Sequence, residues 1–344
     1  SGEPSKGERA GHAQISIWRN WRQTDGSRLA AIRQAPAPAG KALTVRADDL
    51  LTEQPTFRAV AADHGVVSRQ VGLILPTSLC SGQIARLAAE RLNQRGLAER
   101  AGLERFVALV HTEGCGVAMP TTRDVYNQTM TSYMAHPMVR AGLFLEHGCE
   151  KTHNDYMRHL LIEQGMDPAA FGWASIQLDG GIEAVLAKIE AWFEQKLGAS
   201  APPPITTADL GRARVGLMNL DTVPSAAAGR SLAHLVRTLV ARGATVVSPQ
   251  FAPLWQCAAF VSATVGDRPA AATLAYGQAI TEPGLHSMAA PTRQWTETLT
   301  GLGATGVEAI LAFARGAYAG HPFIPVLRMA ESGPDLDLTL DGPP

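Results

Sequence analysis

The stretch Val71-Gly72-Leu73-Ile74-Leu75-Pro76-Thr77-Ser78-Leu79-Cys80-Ser81-Gly82 decides how this chain reads. A short apolar run stops at a proline, and a turn holding a cysteine follows. The pattern recurs at Phe106-Val107-Ala108-Leu109-Val110, followed by His111-Thr112-Glu113-Gly114-Cys115-Gly116. It recurs again at Val139-Arg140-Ala141-Gly142-Leu143-Phe144-Leu145, followed by Glu146-His147-Gly148-Cys149-Glu150. Apolar runs bounded by turn residues read as buried strands. Helical spacing at residues 84–93 and 155–164 follows the first and third runs, and 121–134 fits a helix that ends at His136-Pro137. Strand, turn, helix, strand implies a parallel sheet with crossover helices. In such sheets ligands bind beyond the carboxyl ends of the strands. All three cysteines fall there.

Outward from this stretch, Trp173-Ala174-Ser175-Ile176-Gln177 reads as a fourth strand, with the turn Leu178-Asp179-Gly180-Gly181 opening a helix. The fold class is α/β: a parallel-sheet, Rossmann-like domain at 66–198, then a second α/β unit at 211–333. Pro202-Pro203-Pro204 marks residues 199–210 as a stiff linker. Residues 1–65 read as an N-terminal arm or hairpin, and 334–344 as a loose tail. In the second unit, strands are expected at 214–218, 245–248, 285–289 and 323–329, with helices at 231–242 and 307–314. The run Thr300-Gly301-Leu302-Gly303-Ala304-Thr305-Gly306 reads as a glycine loop opening the last helix. It lacks the Gly-Lys-Ser/Thr ending of a phosphate loop, and no dinucleotide fingerprint is present.

Composition narrows the function classes. The 344 residues carry 30 Lys and Arg against 31 Asp and Glu, a net charge of −1. That balance argues against a nucleic-acid surface or a polybasic membrane patch. No apolar run approaches the roughly 18 residues of a membrane span, and the N-terminus shows no secretory signal. Four cysteines in so long a chain make no disulfide framework and point to a reduced, cytoplasmic setting.

A single turn cysteine is as often a packing residue as a ligand. Three at equivalent strand ends, two of them beside glycines that let a ligand approach, form a pattern. Thiolates with nearby histidines suit iron, zinc or an iron–sulfur cluster. The cysteines lie roughly 35 residues apart, without CxxC spacing, so their convergence depends on the fold. His111 is the candidate base, since histidine accepts protons near neutral pH. Lys151 is a candidate partner for a carboxylate, and Gly180 and Gly181 a backbone nest at a helix N-terminus. Solvated loop charge is the plain alternative for Glu113, Glu150 and Lys151. Cys257, beside Trp255, reads as core.

Leu75-Pro76-Thr77, Cys80, His111, Gly114-Cys115, His136-Pro137, Gly148-Cys149-Glu150, Ile176-Gln177 and Gly180-Gly181 together resemble the altronate/galactarate dehydratase family in order and spacing. The second half resembles it more loosely, including Ala304-Thr305-Gly306 and Arg315-Gly316. The resemblance implies an iron-dependent lyase that removes water from a sugar acid or related hydroxy-carboxylate. It implies Cys80, Cys115 and Cys149 at the iron site, either ferrous iron or an iron–sulfur cluster, with His111 as a site residue. Thr77, Gly180, Gly181, Asn219 and Thr305 then become candidate substrate contacts. One departure is plain: where the family has a Cys-Gly-Gly-Ser-Asp turn, this chain has Asn219-Leu220-Asp221-Thr222. That loss supports the alternative of a non-catalytic or partner subunit. The expected partners are a small hydroxy-carboxylate and a second copy or companion chain.

Overall fold

The computed structural model describes residues 41–45, 55–62, 65–113, 120–199, 201–269, 271–314, 320–332 and 335–341. The chain opens with β1 (Thr56–Ala62), β2 (Gly65–Val67) and β3 (Val71–Pro76), then α1 (Leu79–Gln94), α2 (Leu97–Arg100) and β4 (Arg105–Ala108). Next come α3 (Pro120–Met134), β5 (Val139–Glu146), α4 (Asn154–Glu163), β6 (Gly172–Ser175) and α5 (Ile182–Gly198). The second half holds β7 (Ile205–Asp209), β8 (Arg214–Asn219), α6 (Ala226–Ala241), β9 (Thr245–Pro249), α7 (Ala258–Thr264) and β10 (Gly284–Met288). It closes with α8 (Trp295–Ala304), β11 (Ala309–Phe313), β12 (Val326–Ser332) and β13 (Asp335–Asp341).

The first parallel sheet runs β4-β3-β5-β6. β3 is buried along its whole length because helices cover both faces, which is why it reads as an unbroken apolar run. Ile74, Leu143 and Leu145 face α1 and α5; Leu73, Leu75 and Phe144 face α3 and α4. The second sheet runs β10-β9-β8-β11-β12-β13, parallel except for β13. Counted from its own first strand, that is the 3-2-1-4-5-6 order of doubly wound folds. One face packs on α6 and α7, through Leu217, Val246 and Leu285. Its other face, with Met218, Val247 and Met288, shares one core with α8, α3 and the first sheet. The two halves are therefore joined by a common hydrophobic layer.

Four sequence expectations change. Residues 300–306 are not a loop: they form the C-terminal part of α8 and its cap, and β11 occupies most of the helix expected at 307–314. Gly301 and Gly303 are there for close packing. A Cβ on Gly301 would sit 2.3 Å from the Tyr276 ring, and one on Gly303 would sit 2.3 Å from the Tyr133 hydroxyl. The stretch read as a linker supplies β7, which pairs antiparallel with β1. The expected tail supplies β13, antiparallel to β12. The tryptophans Trp18 and Trp21, in an expected element of the arm, lie outside the described residues.

The amino edges of the two sheets meet. Glu308, just before β11, accepts the backbone N–H of Ser68 at 2.5 Å, just before β3. Arg105, at the start of β4, donates to the carbonyl of Pro322, just before β12. The C-terminal ends of α3 and α8 also meet, where His136 Nε2 lies 3.2 Å from the Val307 carbonyl. These contacts bring the amino edges of both sheets together at one seam. Among the described residues, no helix is long and apolar enough to cross a membrane.

Candidate functional site

Cys80 lies in the first turn of α1, directly after β3, and Cys149 in the turn after the adjacent strand β5; both are exposed. Cys115 lies outside the described residues. The two described cysteine turns are joined by Glu150, which is only 3% exposed. Its Oε1 accepts the Thr77 hydroxyl at 2.8 Å, the Ser78 hydroxyl at 3.0 Å and the His147 N–H at 2.8 Å. Its Oε2 accepts the N–H groups of Gly148 at 2.7 Å and Cys149 at 3.0 Å. Burial alone would raise the pKa of this carboxyl. Backbone N–H groups, including that of His147, and the Thr77 hydroxyl outweigh it and pull the pKa down to about 2. Ser78, at the N-cap of α1, gives its hydroxyl to Glu150 and not to the helix.

The third turn is tied to the first by main chain, the Leu79 N–H donating to the Glu113 carbonyl at 2.5 Å. His111 completes the tie. Its Nδ1 accepts the Glu113 N–H at 3.2 Å, which leaves the proton on Nε2 to donate to the Pro76 carbonyl at 2.9 Å. Burial lowers its pKa to about 4, so it is neutral. Thr77 is fully buried, its carbonyl accepting from Tyr126 at 2.8 Å and Thr152 at 3.2 Å.

His147, Cys149 and Glu150 place possible ligand atoms within 4.8 Å of one another, and the Cys149 Sγ lies 3.3 Å from His147 Nδ1. Glu150 is a poor ligand, because five donors already fill the roughly four lone-pair sites of a carboxylate. The imidazole and thiol form a soft-to-borderline donor pair that suits iron or zinc, with Cys80 on the next strand end. Gly148 makes this turn possible: its φ is +116°, and a Cβ there would lie 2.9 Å from the Gln177 side chain. Lys151 follows, exposed at the same strand end.

The remaining candidates are spread out. Gly180 and Gly181, both at positive φ, form the turn that opens α5 beyond β6, but the Gly181 N–H already donates to the Ile176 carbonyl at 2.8 Å. Asn219 ends β8 fully buried. Its Nδ2 donates to the carbonyls of Thr222 at 3.1 Å and Phe313 at 3.2 Å, and its Oδ1 has no partner. Thr305 is not brought to the carboxyl edge. It caps the far end of α8, and its hydroxyl donates to the Leu302 carbonyl at 2.7 Å. Cys257 is buried core, as read.

Residues 61–200 match the family model described as D-galactarate dehydratase/Altronate hydrolase, second domain. No curated protein matches the chain significantly. The family resemblance carried by the cysteine turns therefore holds across the first parallel-sheet unit.

Proposed function

We propose that the chain is a metal-dependent lyase that removes water from a sugar acid or related hydroxy-carboxylate and releases a 2-oxo acid. One observation carries the reading. Within a stretch that matches a dehydratase family, the turns that carry Cys80 and the His147–Cys149 pair follow adjacent parallel strands and are joined through Glu150. Cys80, Cys149 and His147, with Cys115, would hold iron, as the ferrous ion or in a cluster. Iron bound there would act as a Lewis acid toward the carboxylate and hydroxyl of the substrate.

The chain's own groups have separable roles. Glu150 holds the ligand turns in place. His111, engaged at both ring nitrogens, is assigned to positioning and not to proton transfer. Lys151 offers an exposed cation to a substrate carboxylate, and the unpaired Oδ1 of Asn219 offers an acceptor to a hydroxyl. Thr77 and Thr305 have their hydroxyls committed internally. A reduced cytoplasm is the compartment that would keep such thiolates available. The second reading, a partner subunit without turnover, is favoured by the Asn219-Leu220-Asp221-Thr222 turn in place of the cysteine turn.

The test is iron-loaded protein, prepared without oxygen, against a panel of sugar acids and small hydroxy acids. Iron-dependent release of 2-oxo acid supports the lyase. Metal-replete protein that turns over nothing, and co-purifies with a second chain, supports the partner subunit.

A further inference from the structure

Tyr126 is a residue that packing alone does not account for. It lies on α3 and is fully buried, where a phenylalanine would fill nearly the same volume. A buried tyrosine hydroxyl needs a partner. This one donates to the main-chain carbonyl of Thr77 at 2.8 Å, in the turn that carries Cys80. Burial raises its pKa above the ordinary tyrosine range, so the hydroxyl keeps the proton it donates.

The turns that hold the three cysteines all reach this side chain. Thr77 belongs to the turn after β3. His111, in the turn after β4, stands edge-on to the Tyr126 ring, with centroids 5.8 Å apart and planes at 83°. Thr152, in the turn after β5, donates to the same Thr77 carbonyl at 3.2 Å and lies within hydrogen-bond reach of the Tyr126 hydroxyl. From Thr77 the connection runs on to the candidate ligands. The Thr77 hydroxyl donates to Glu150 at 2.8 Å, and Glu150 holds the N–H groups of His147 and Cys149. The far part of α3 is anchored on the second half of the chain. Tyr133, seven residues on, donates its hydroxyl to the Thr300 carbonyl at 2.9 Å, and the Ser132 hydroxyl donates to the Gly277 carbonyl at 2.9 Å. A helix held at that end can keep Tyr126 in a fixed place among the turns.

We propose that Tyr126 is a positioning residue of the metal site: its hydroxyl and ring set the spacing of the turns that present the thiolates. It acts through Thr77, Thr152 and His111 and touches no ligand atom itself. The assignment rests on the metal reading given above.

The experiment titrates the full chain with Co²⁺ without oxygen and follows the thiolate-to-cobalt band, with urea unfolding of each metal-free variant alongside. Tyr126→Phe keeps the ring and removes the hydroxyl. Tyr133→Phe removes an equally buried hydroxyl from the same helix, away from the turns, and is the control. The expected result is a Co²⁺ affinity lowered roughly 10–100-fold in Tyr126→Phe, the usual loss when a group behind metal ligands is removed, with a shifted band. Tyr133→Phe should bind as wild type does, whatever its urea midpoint. Thr152→Val, which removes the other donor to the Thr77 carbonyl, should weaken binding in the same direction, and it decides the matter if Tyr126→Phe does not fold. Wild-type affinity and band in Tyr126→Phe overturn the role and leave the metal site standing. Equal losses in Tyr126→Phe and Tyr133→Phe also overturn it, because they report a general loosening of the fold. A wild type without the band overturns the metal reading, and this assignment with it.

Discussion

Glu150 is the residue on which the first site turns. Replacing it by Ala leaves buried donors from Thr77, Ser78, His147, Gly148 and Cys149 without their acceptor. The expected cost is about 3–5 kcal/mol of folding stability, measured by urea unfolding. Because its folded pKa lies below the ordinary carboxyl value, its contribution is present above about pH 4.5 and fades as pH falls toward 2. Glu150→Gln should flatten that acid limb in unfolding titrations. Glu297 has the opposite sign. Its folded pKa lies above the ordinary value, so its contribution is complete below about pH 4.5 and is lost as pH rises to 7. The loss is on the order of 3 kcal/mol at most, and Glu297→Gln should remove it. The strand-end positions of Cys80, Cys149 and His111 were legible in the sequence because an apolar run that stops at a turn is a local signal. Glu150 was not, because a charged residue in a turn reads as solvated, and the Thr77 and Ser78 hydroxyls that bury it come from more than 70 residues away. Glu297 carried no signal, because it lies in a stretch assigned to no element, ahead of the run read as a glycine loop.

At the scale of elements, α8 is the instructive case. Glycine is a breaker by intrinsic propensity, so Gly301 and Gly303 read as loop. Tertiary packing reversed that preference, because only a helix without Cβ atoms there can approach Tyr276 and Tyr133. Gly301→Ala tests the argument. On an exposed helix it would stabilise by about 1 kcal/mol; here the expected result is a net destabilisation of about 1–3 kcal/mol in denaturant unfolding, from overpacking against the Tyr276 ring. The strands of the first sheet were readable because burial on both faces leaves an uninterrupted apolar signature. β7 and β13 were not. Both pair antiparallel, β7 with the distant β1 and β13 with its sequence neighbour β12, and Ile205-Thr206-Thr207-Ala208-Asp209 and Asp335-Leu336-Asp337-Leu338 carry too much polar character to stand out beside proline-rich segments.

On the scale of the whole molecule, the shared core between the sheets makes the halves one structural unit. The boundary of the matched family domain at residue 200 is therefore not a boundary of stability. Residues 61–200 produced alone would expose the face of α3 that packs on α8, and should bind a hydrophobic dye and aggregate where the full chain does not. The meeting of the two amino edges was beyond the sequence, since it follows from contacts such as His136 with Val307 and Ser68 with Glu308 that join distant segments. The central claim is that the turns carrying Cys80 and Cys149 form a thiolate metal site. It is tested most directly by loading the protein with Co²⁺ without oxygen and recording its absorption spectrum, for wild type and for Cys80→Ser, Cys149→Ser and His147→Ala. The expected result is a thiolate-to-cobalt charge-transfer band that saturates stoichiometrically in the wild type, weakens in each variant, and fades as the thiolates are protonated at low pH. A wild-type spectrum without that band, or a band unchanged in both Cys80→Ser and Cys149→Ser, would contradict it.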